Sequence, residues 1–271
     1  MLFRSFGLRA VITFKTREAW WTVPLHPLAV LVGLAIPAHA DTLRMLSVGA
    51  VKHTVDPLSE EFRQSSGHVI SISSATAGPT QKKLLDGEIC DVVVLPSRLL
   101  DEAIAQGKAD KGSKRDLGTV KVGVAIPKGA PRPDISTLDA FKKTLLATPR
   151  IVYSNPSSGA SSGIHFANVI KKLGMEAELA PKTVFRQGGT AVADAIAAKE
   201  GDLGITQVSE ILPVAGTEVA GLLPAEIQNA TTYSAAACSD TKSFDLARAW
   251  IDVMTGTVAR ERFRKAGFET P

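Results

Sequence analysis

The sequence predicts an α/β protein of two lobes with a ligand cleft between them. Three observations carry that expectation. Apolar runs alternate with helix-period segments between residues 42 and 106, in the order strand, helix, strand, helix, strand, which is the pattern of a doubly wound parallel sheet. A second alternation of the same kind begins near residue 151, after the turn-rich segment Pro127–Pro133. An uncharged stretch near the C terminus, Tyr233–Cys238, then reads as a strand returning to the first lobe. The expected lobes are residues 41–125 with 231–271, and residues 126–230.

Taken in order, Thr42–Val48 reads as the first strand and residues 49–53 as its exit loop. Val55, Leu58 and Phe62 at helical spacing predict a helix that Gly67 ends. Val69–Ser73 is a second strand, running into the uncharged loop 74–80. A helix carrying Lys82, Lys83, Leu84 and Leu85 stops at Gly87. Asp91–Leu95 is apolar after its first residue, as expected of a strand covered on both faces, and Leu99–Gln106 is helical. Val120–Ile126 is a strand, and Leu138–Leu146 a helix. Arg150–Tyr153 is a buried strand opening into the loop 154–163, and the next helix is expected to bury Ile164, Ala167, Ile170 and Leu173 before Gly174. Val184–Gln187 is a short strand. Gly188, Gly189 and Thr190 lead into a helix with Val192, Ala195 and Ile196 inward, and Leu203–Thr206 is a strand ending at Gln207. Residues 213–230 have no clear period. A C-terminal helix carries Leu246, Trp250 and Val253, and Phe263 and Phe268 pack the end of the chain.

Four strand-to-helix loops, 49–54, 74–80, 154–163 and 187–190, should face the cleft, two from each lobe. All four are rich in Gly, Ala, Ser or Thr. Small residues let a ligand approach the backbone, and a helix N-terminus presents unpaired N–H groups to an anion. The expected ligand is therefore a small anion held by Thr76, Ser154, Ser161, Ser162 and Gly189. Lys52, Lys82 and Arg186 at the loop edges would add positive charge. His53 and His165 begin helices on opposite lobes, where two imidazoles could serve as base and acid; ordinary helix-start residues are the alternative.

The chain has 271 residues, 45% hydrophobic and 21% charged, enough for a full core. Its first forty residues differ from the rest. Basic residues Arg4, Arg9, Lys15 and Arg17 precede the short apolar run 28–36, and Ala38-His39-Ala40 has the form of a signal-peptidase site. We read residues 1–40 as an export leader and place the mature protein in the periplasm. The leader carries four of the 31 Lys and Arg and one of the 27 Asp and Glu, which leaves 27 basic against 26 acidic residues. The formal charge of +4 therefore gives no argument for nucleic acid. Cys90 and Cys238 either pair in an oxidising compartment or stay as two buried thiols, and sequence separation leaves both open. No metal-ligand spacing, phosphate-binding glycine loop or nucleophile elbow occurs, so no metal or cofactor is expected.

Several stretches carry a resemblance: VGAVKHTVDPL, LLDGEICDVVVLPS, YSNPSSGASSGIHFANVIKKLG, AVADAIAAKEGDLGITQVSE and FRKAGFE. In this order and spacing they resemble the periplasmic molybdate-binding proteins, within the type II bacterial solute-binding proteins. The resemblance runs over nearly the whole mature chain. It implies the two-lobed type II periplasmic binding fold, an anion in the interlobe cleft, a monomer, and delivery to an ABC permease.

It also places contacts at specific positions, and this sequence departs from them. Where the family has a Ser after the first strand, this chain has Ala50; a second Ser is replaced by Ala77 or Gly78, with Thr76 and Thr80 nearby; and a Tyr is replaced by Gln207. Lost oxyanion hydroxyls and added cations favour a small di- or tricarboxylate over molybdate or tungstate. Aconitate isomerase also resembles this family, so the alternative is an enzyme that moves an allylic proton, with His53, His165 and Lys52 as its catalytic groups. Export gives the first test. Mass analysis of secreted protein should find a chain starting at Asp41, and a start well away from it would refute the leader boundary.

Overall fold

The computed structural model describes residues 41–271 and, before them, only two antiparallel three-residue strands, β1 (Phe14–Thr16) and β2 (Ala19–Trp21). The apolar run 28–36 and the cleavage site at 38–40 lie outside the described residues. Residues 41–271 form one compact unit.

That unit opens with β3 (Thr42–Val48), α1 (Gly49–Ser66), β4 (Val69–Ala75), α2 (Ala77–Leu85), β5 (Val92–Pro96) and α3 (Ser97–Ala105). β3 pairs parallel with both β4 and β5. The 13-residue β6 (Arg115–Pro127) follows, then α4 (Leu138–Ala147), β7 (Ile151–Ser154), α5 (Ser161–Lys172), α6 (Glu176–Leu179), β8 (Thr183–Arg186), α7 (Gly189–Ala197), β9 (Leu203–Gln207) and α8 (Val208–Ile211). β7 pairs parallel with β8 and β9. The chain ends with β10 (Thr217–Leu222), β11 (Ala230–Ala237), α9 (Phe244–Thr255), α10 (Thr257–Lys265) and β12 (Phe268–Glu269).

The hydrogen-bonded order is β4-β3-β5-β11-β6-β9-β7-β8, with β10 and β12 also on β6. Residues 115–121 of β6 pair with β11 and residues 122–125 pair with β9, so one strand belongs to both parallel halves. Separate apolar clusters pack on the two halves. The first gathers Val92–Leu95 of β5 with Phe62 and Trp250, whose rings lie 5.3 Å apart; the second gathers Phe141, Tyr153 and Phe166. Trp250 is fully buried, and burial of such a side chain contributes about 3 kcal/mol. The strands expected to be wholly apolar are so because helices cover both faces: every residue of β5 and of β9 is buried.

The structure corrects several expected boundaries. Residues 49–53 are no exit loop; they form the first turn of α1, because the apolar stripe of that helix starts at Ala50 and Val51. The loop 74–80 shrinks to Thr76, since β4 runs through Ala75 and α2 begins at Ala77. Pro79 fits there because a first-turn residue has no intrahelical partner for its missing N–H. α5 buries Ser162, Gly163, Phe166, Val169 and Ile170, and leaves Ile164 43% exposed. The rotation follows from Gly163: a Cβ there would lie 2.2 Å from the carbonyl oxygen of Ser154, so only glycine allows this face to press on β7. β10 lies in the stretch without period, where a bulge between Val219 and Gly221 breaks the alternation. The single expected C-terminal helix is two, α9 and α10, separated by Gly256.

Cys90 and Cys238 form a disulfide between segments 148 residues apart, beside the antiparallel pair of β5 and β11. Closing so long a loop constrains the unfolded chain, typically by about 2–5 kcal/mol. Urea unfolding with and without reductant should therefore differ by that amount, and Cys238→Ser should match the reduced protein. Coincident unfolding curves would show that the bond adds nothing.

Candidate functional site

Four helices point their N-termini at one cavity of about 190 Å³: α1, α2, α5 and α7. Each follows a strand of the sheet directly or after a short connection, so the strand ends set the geometry. Gly49 and Ala50 come from α1, Thr76 and Ala77 from the start of α2, Ser161 and Ser162 from α5, and Gly189 and Thr190 from α7. Gln207, Glu210 and Tyr233 close the floor. First-turn N–H groups have no intrahelical partner, and four such ends together favour negative charge.

Of the expected contacts, Ala50, Thr76, Ser161, Ser162, Gly189 and Gln207 line this cavity. The others do not. Gly78 lies beside it: its N–H donates to the carbonyl of Gly159 at 3.1 Å, in a contact that joins the start of α2 to the turn before α5. The Thr76 hydroxyl donates to the Ser158 carbonyl at the same place. Ser154 is fully buried beneath Gly163 and outside the lining, and its Oγ has no partner.

The expected cations are also elsewhere. Lys52 pairs with Asp56, Lys82 with Asp86 at 2.6 Å, and Arg186 with Glu200. Each is satisfied by a neighbour on the protein surface, and none lines the cavity. The histidine pair is not assembled. His53 is exposed on α1, one position off the stripe formed by Ala50, Val51, Thr54 and Val55. His165 lies in a neighbouring groove with Arg98 and Asn229, and its Nε2 is 2.7 Å from the carbonyl of Ile227. The acid–base role expected of His53, His165 and Lys52 therefore has no geometric support.

Two groups were not expected in the site. Glu210 is buried, and its Oε2 accepts a 2.7 Å hydrogen bond from the Thr206 hydroxyl; the backbone N–H groups of Gln207 and Gly189 also serve this carboxyl. Burial pushes its pKa above the ordinary carboxylate value, and those three hydrogen bonds oppose the shift. Tyr233 is buried on β11, and its hydroxyl donates to Oε1 of Gln207 at 2.9 Å. Burial first, and the nearby Glu210 second, push the phenol pKa upward, so it stays a neutral donor. A phenol thus reaches the cavity from β11 although position 207 is not Tyr. With Oε1 engaged, the Gln207 amide offers Nε2, a buried donor without a partner. The sequence signal for Glu210 was its place three residues after Gln207, the position that reaches back to a helix N-cap. The sequence marked Tyr233 only as the start of a return strand, not as a group in the site.

Two α/β halves that share a strand, with strand ends and helix N-termini around a small cavity, define a solute-binding architecture. The chain belongs to the bacterial extracellular solute-binding protein family, whose profile matches residues 43–269. It is 29% identical over 240 residues to an aconitate isomerase from a Pseudomonas species, across 84% of this chain and 87% of that one. The periplasmic molybdate-binding protein of Azotobacter vinelandii is similar in structure, with a TM-score of 0.70 at 22% identity, across 84% of this chain and 99% of that one. The sulfate-binding protein of Mycobacterium tuberculosis aligns with a TM-score of 0.68 at 15% identity, across 85% and 87%. These two structures show the type II periplasmic binding fold. Among the described residues, no helix is long and apolar enough to cross a membrane.

Gly189 gives a direct test of the cavity. A Cβ there would lie 1.8 Å from Oε2 of Glu210 and 2.1 Å from the Thr206 hydroxyl. Gly189→Ala must displace the carboxyl, which should cost about 1–3 kcal/mol in thermal or urea unfolding and abolish ligand-induced stabilisation. Unchanged stability and unchanged ligand response would show that the Glu210 arrangement is not that of the folded protein.

Proposed function

We propose that this protein captures a small organic di- or tricarboxylate in the helix-ringed cavity. The observation that carries this reading is the Gln207 amide: a buried donor without a partner, set among four helix N-termini. A ligand acceptor would satisfy a group whose isolation otherwise costs about 1–3 kcal/mol. The cavity is below the ~300 Å³ at which drug-sized pockets begin, which suits a compact anion. Binding rests on neutral donors and helix ends, not on the surface cations. The similarity to an aconitate isomerase supports a carboxylate over molybdate or tungstate. With the leader removed, the protein would act in the periplasm as a monomer and pass its ligand to an ABC permease. The lobes that would close on the ligand are residues 41–125 with 231–271, and residues 126–230, with β6 running through both.

A second reading, turnover, is favoured by that same similarity together with the ionisable groups inside the cavity. Interconversion of cis- and trans-aconitate breaks one C–H bond and forms another while the double bond moves. Glu210 and Tyr233 are the titratable side chains that line the cavity. A thermal-shift screen of the mature protein against citrate, both aconitates, molybdate, tungstate and sulfate tests the first reading. Carboxylates should stabilise the fold by about 2.7 kcal/mol at a hundredfold excess over Kd, and a response to tungstate alone would overturn the proposal. Proton NMR of cis-aconitate incubated with the protein decides turnover: appearance of the trans isomer establishes the isomerase, and an unchanged spectrum leaves a binding protein.

A further inference from the structure

An anion-capturing cavity is an unfavourable place for a carboxylate, yet Glu210 lies in its wall. Two like charges in a poorly hydrated space repel, and the usual resolution is that one group takes up a proton. The geometry shows how Glu210 would meet a ligand. Its Oε2 is held by the Thr206 hydroxyl at 2.7 Å. Its Oε1 lies on the side of Gly49, where a Cβ would stand 3.4 Å away in ordinary contact, so this oxygen sits beside the N-terminus of α1.

We propose that Glu210 takes up one proton as an anionic ligand enters the cavity, and that its carboxyl O–H then shares this proton with a ligand carboxylate. This deepens the carboxylate-binding reading and rests on it. The proton comes from solvent, and no bond of the ligand breaks. Glu210 is thereby a specificity determinant. A carboxylate is basic enough to share a proton with a glutamic acid, whereas sulfate, the anion of a strong acid, is not. Tyr233 is the other titratable group in the lining. The charged side chains of the elements packed against α8, such as Lys52, His53 and Asp56 of α1, Asp194 of α7, Lys121 of β6 and Glu218 of β10, stay out of it. Among the described residues no positive side chain lines the cavity, so proton uptake is the means, beyond the partial charge of the helix ends, of neutralising the pair. The upward pKa shift that burial imposes on Glu210 points the same way.

The test is calorimetric titration of the purified protein with trans-aconitate, which is fully ionised at neutral pH, in buffers of different ionisation enthalpy between pH 6 and pH 8. Proton uptake should rise with pH toward one per site above the folded-state pKa of Glu210, where Kd should rise by about tenfold per pH unit. Glu210→Gln keeps the shape and offers an N–H donor, so it should bind with no proton uptake and a flat pH profile. Binding to the wild type without uptake, or the same pH slope in Glu210→Gln, overturns the proposal and leaves carboxylate binding intact. Absence of any trans-aconitate binding is a different result, and it overturns both. A ligand-free arm reads the carboxyl itself by carbon NMR. Because the folded-state pKa is raised above 4.5, Glu210 should stay protonated at a pH where exposed glutamates have ionised, and its stabilising contribution should be lost as pH rises through the folded value. A Glu210 signal that is already protonated throughout pH 6 to 8 without ligand leaves no proton to be taken up on binding and overturns the proposal.

Discussion

β6 is bonded along its length to partners from both halves of the chain. Its N-terminal part is zipped to β11, its C-terminal part to β9, and β10 and β12 add to its edges. A strand that pairs with both sets cannot shift for one without shifting for the other, because a one-residue slip would turn every side chain to the opposite face. The positions of the other strand ends, and of the helices that start from them, follow from this shared register. The cavity is the place where those ends meet.

Close backbone approach gives the cavity its character. At Gly163 the absent Cβ lets α5 press on β7, and at Gly189 it lets a buried carboxyl reach the start of α7. The result is an environment rich in backbone N–H groups and poor in charged side chains. Such groups are fixed before a ligand arrives and need little reorganisation to receive it. A long cationic side chain, by contrast, must be ordered at an entropic cost of up to about 2 kcal/mol.

Much of this architecture could be read from residue patterns. The fully apolar β5, the stripe Val192, Ala195 and Ile196 of α7, and the return strand at Tyr233 all obey simple periodicity, because each is buried by the element beside it. The helix ends that ring the cavity were legible for the same reason, as small-residue loops after strands. What failed was inference from charge. Lys52, Lys82 and Arg186 have the chemistry to hold an anion, but each has an acidic partner that claims it first, one helical turn on for the two lysines and just beyond α7 for Arg186. His53 was misplaced by one helical step, since reading residues 49–53 as a loop hid the face on which each of them falls. Tyr233 enters the site through long-range pairing of β11 with β5 and β6, which no local pattern encodes.

The contact between Gly78 and Gly159 has a consequence for how the cleft opens. On that side, the halves are joined by two hydrogen bonds to carbonyls, from the Gly78 N–H and the Thr76 hydroxyl. Each contributes a net of about 1 kcal/mol against water, so a fluctuation of modest free energy suffices to part them. A latch this weak would leave an open form within reach of thermal fluctuation. Its acceptors are main-chain carbonyls, so substitution of the Ser158 side chain would leave them in place, whereas a Cβ at Gly159 would stand 2.8 Å from Cδ of Pro79 and 3.1 Å from Cα of Gly78 and would force the contact apart. Occupancy of the cavity, acting as a third contact between the same elements, would then decide which form is populated.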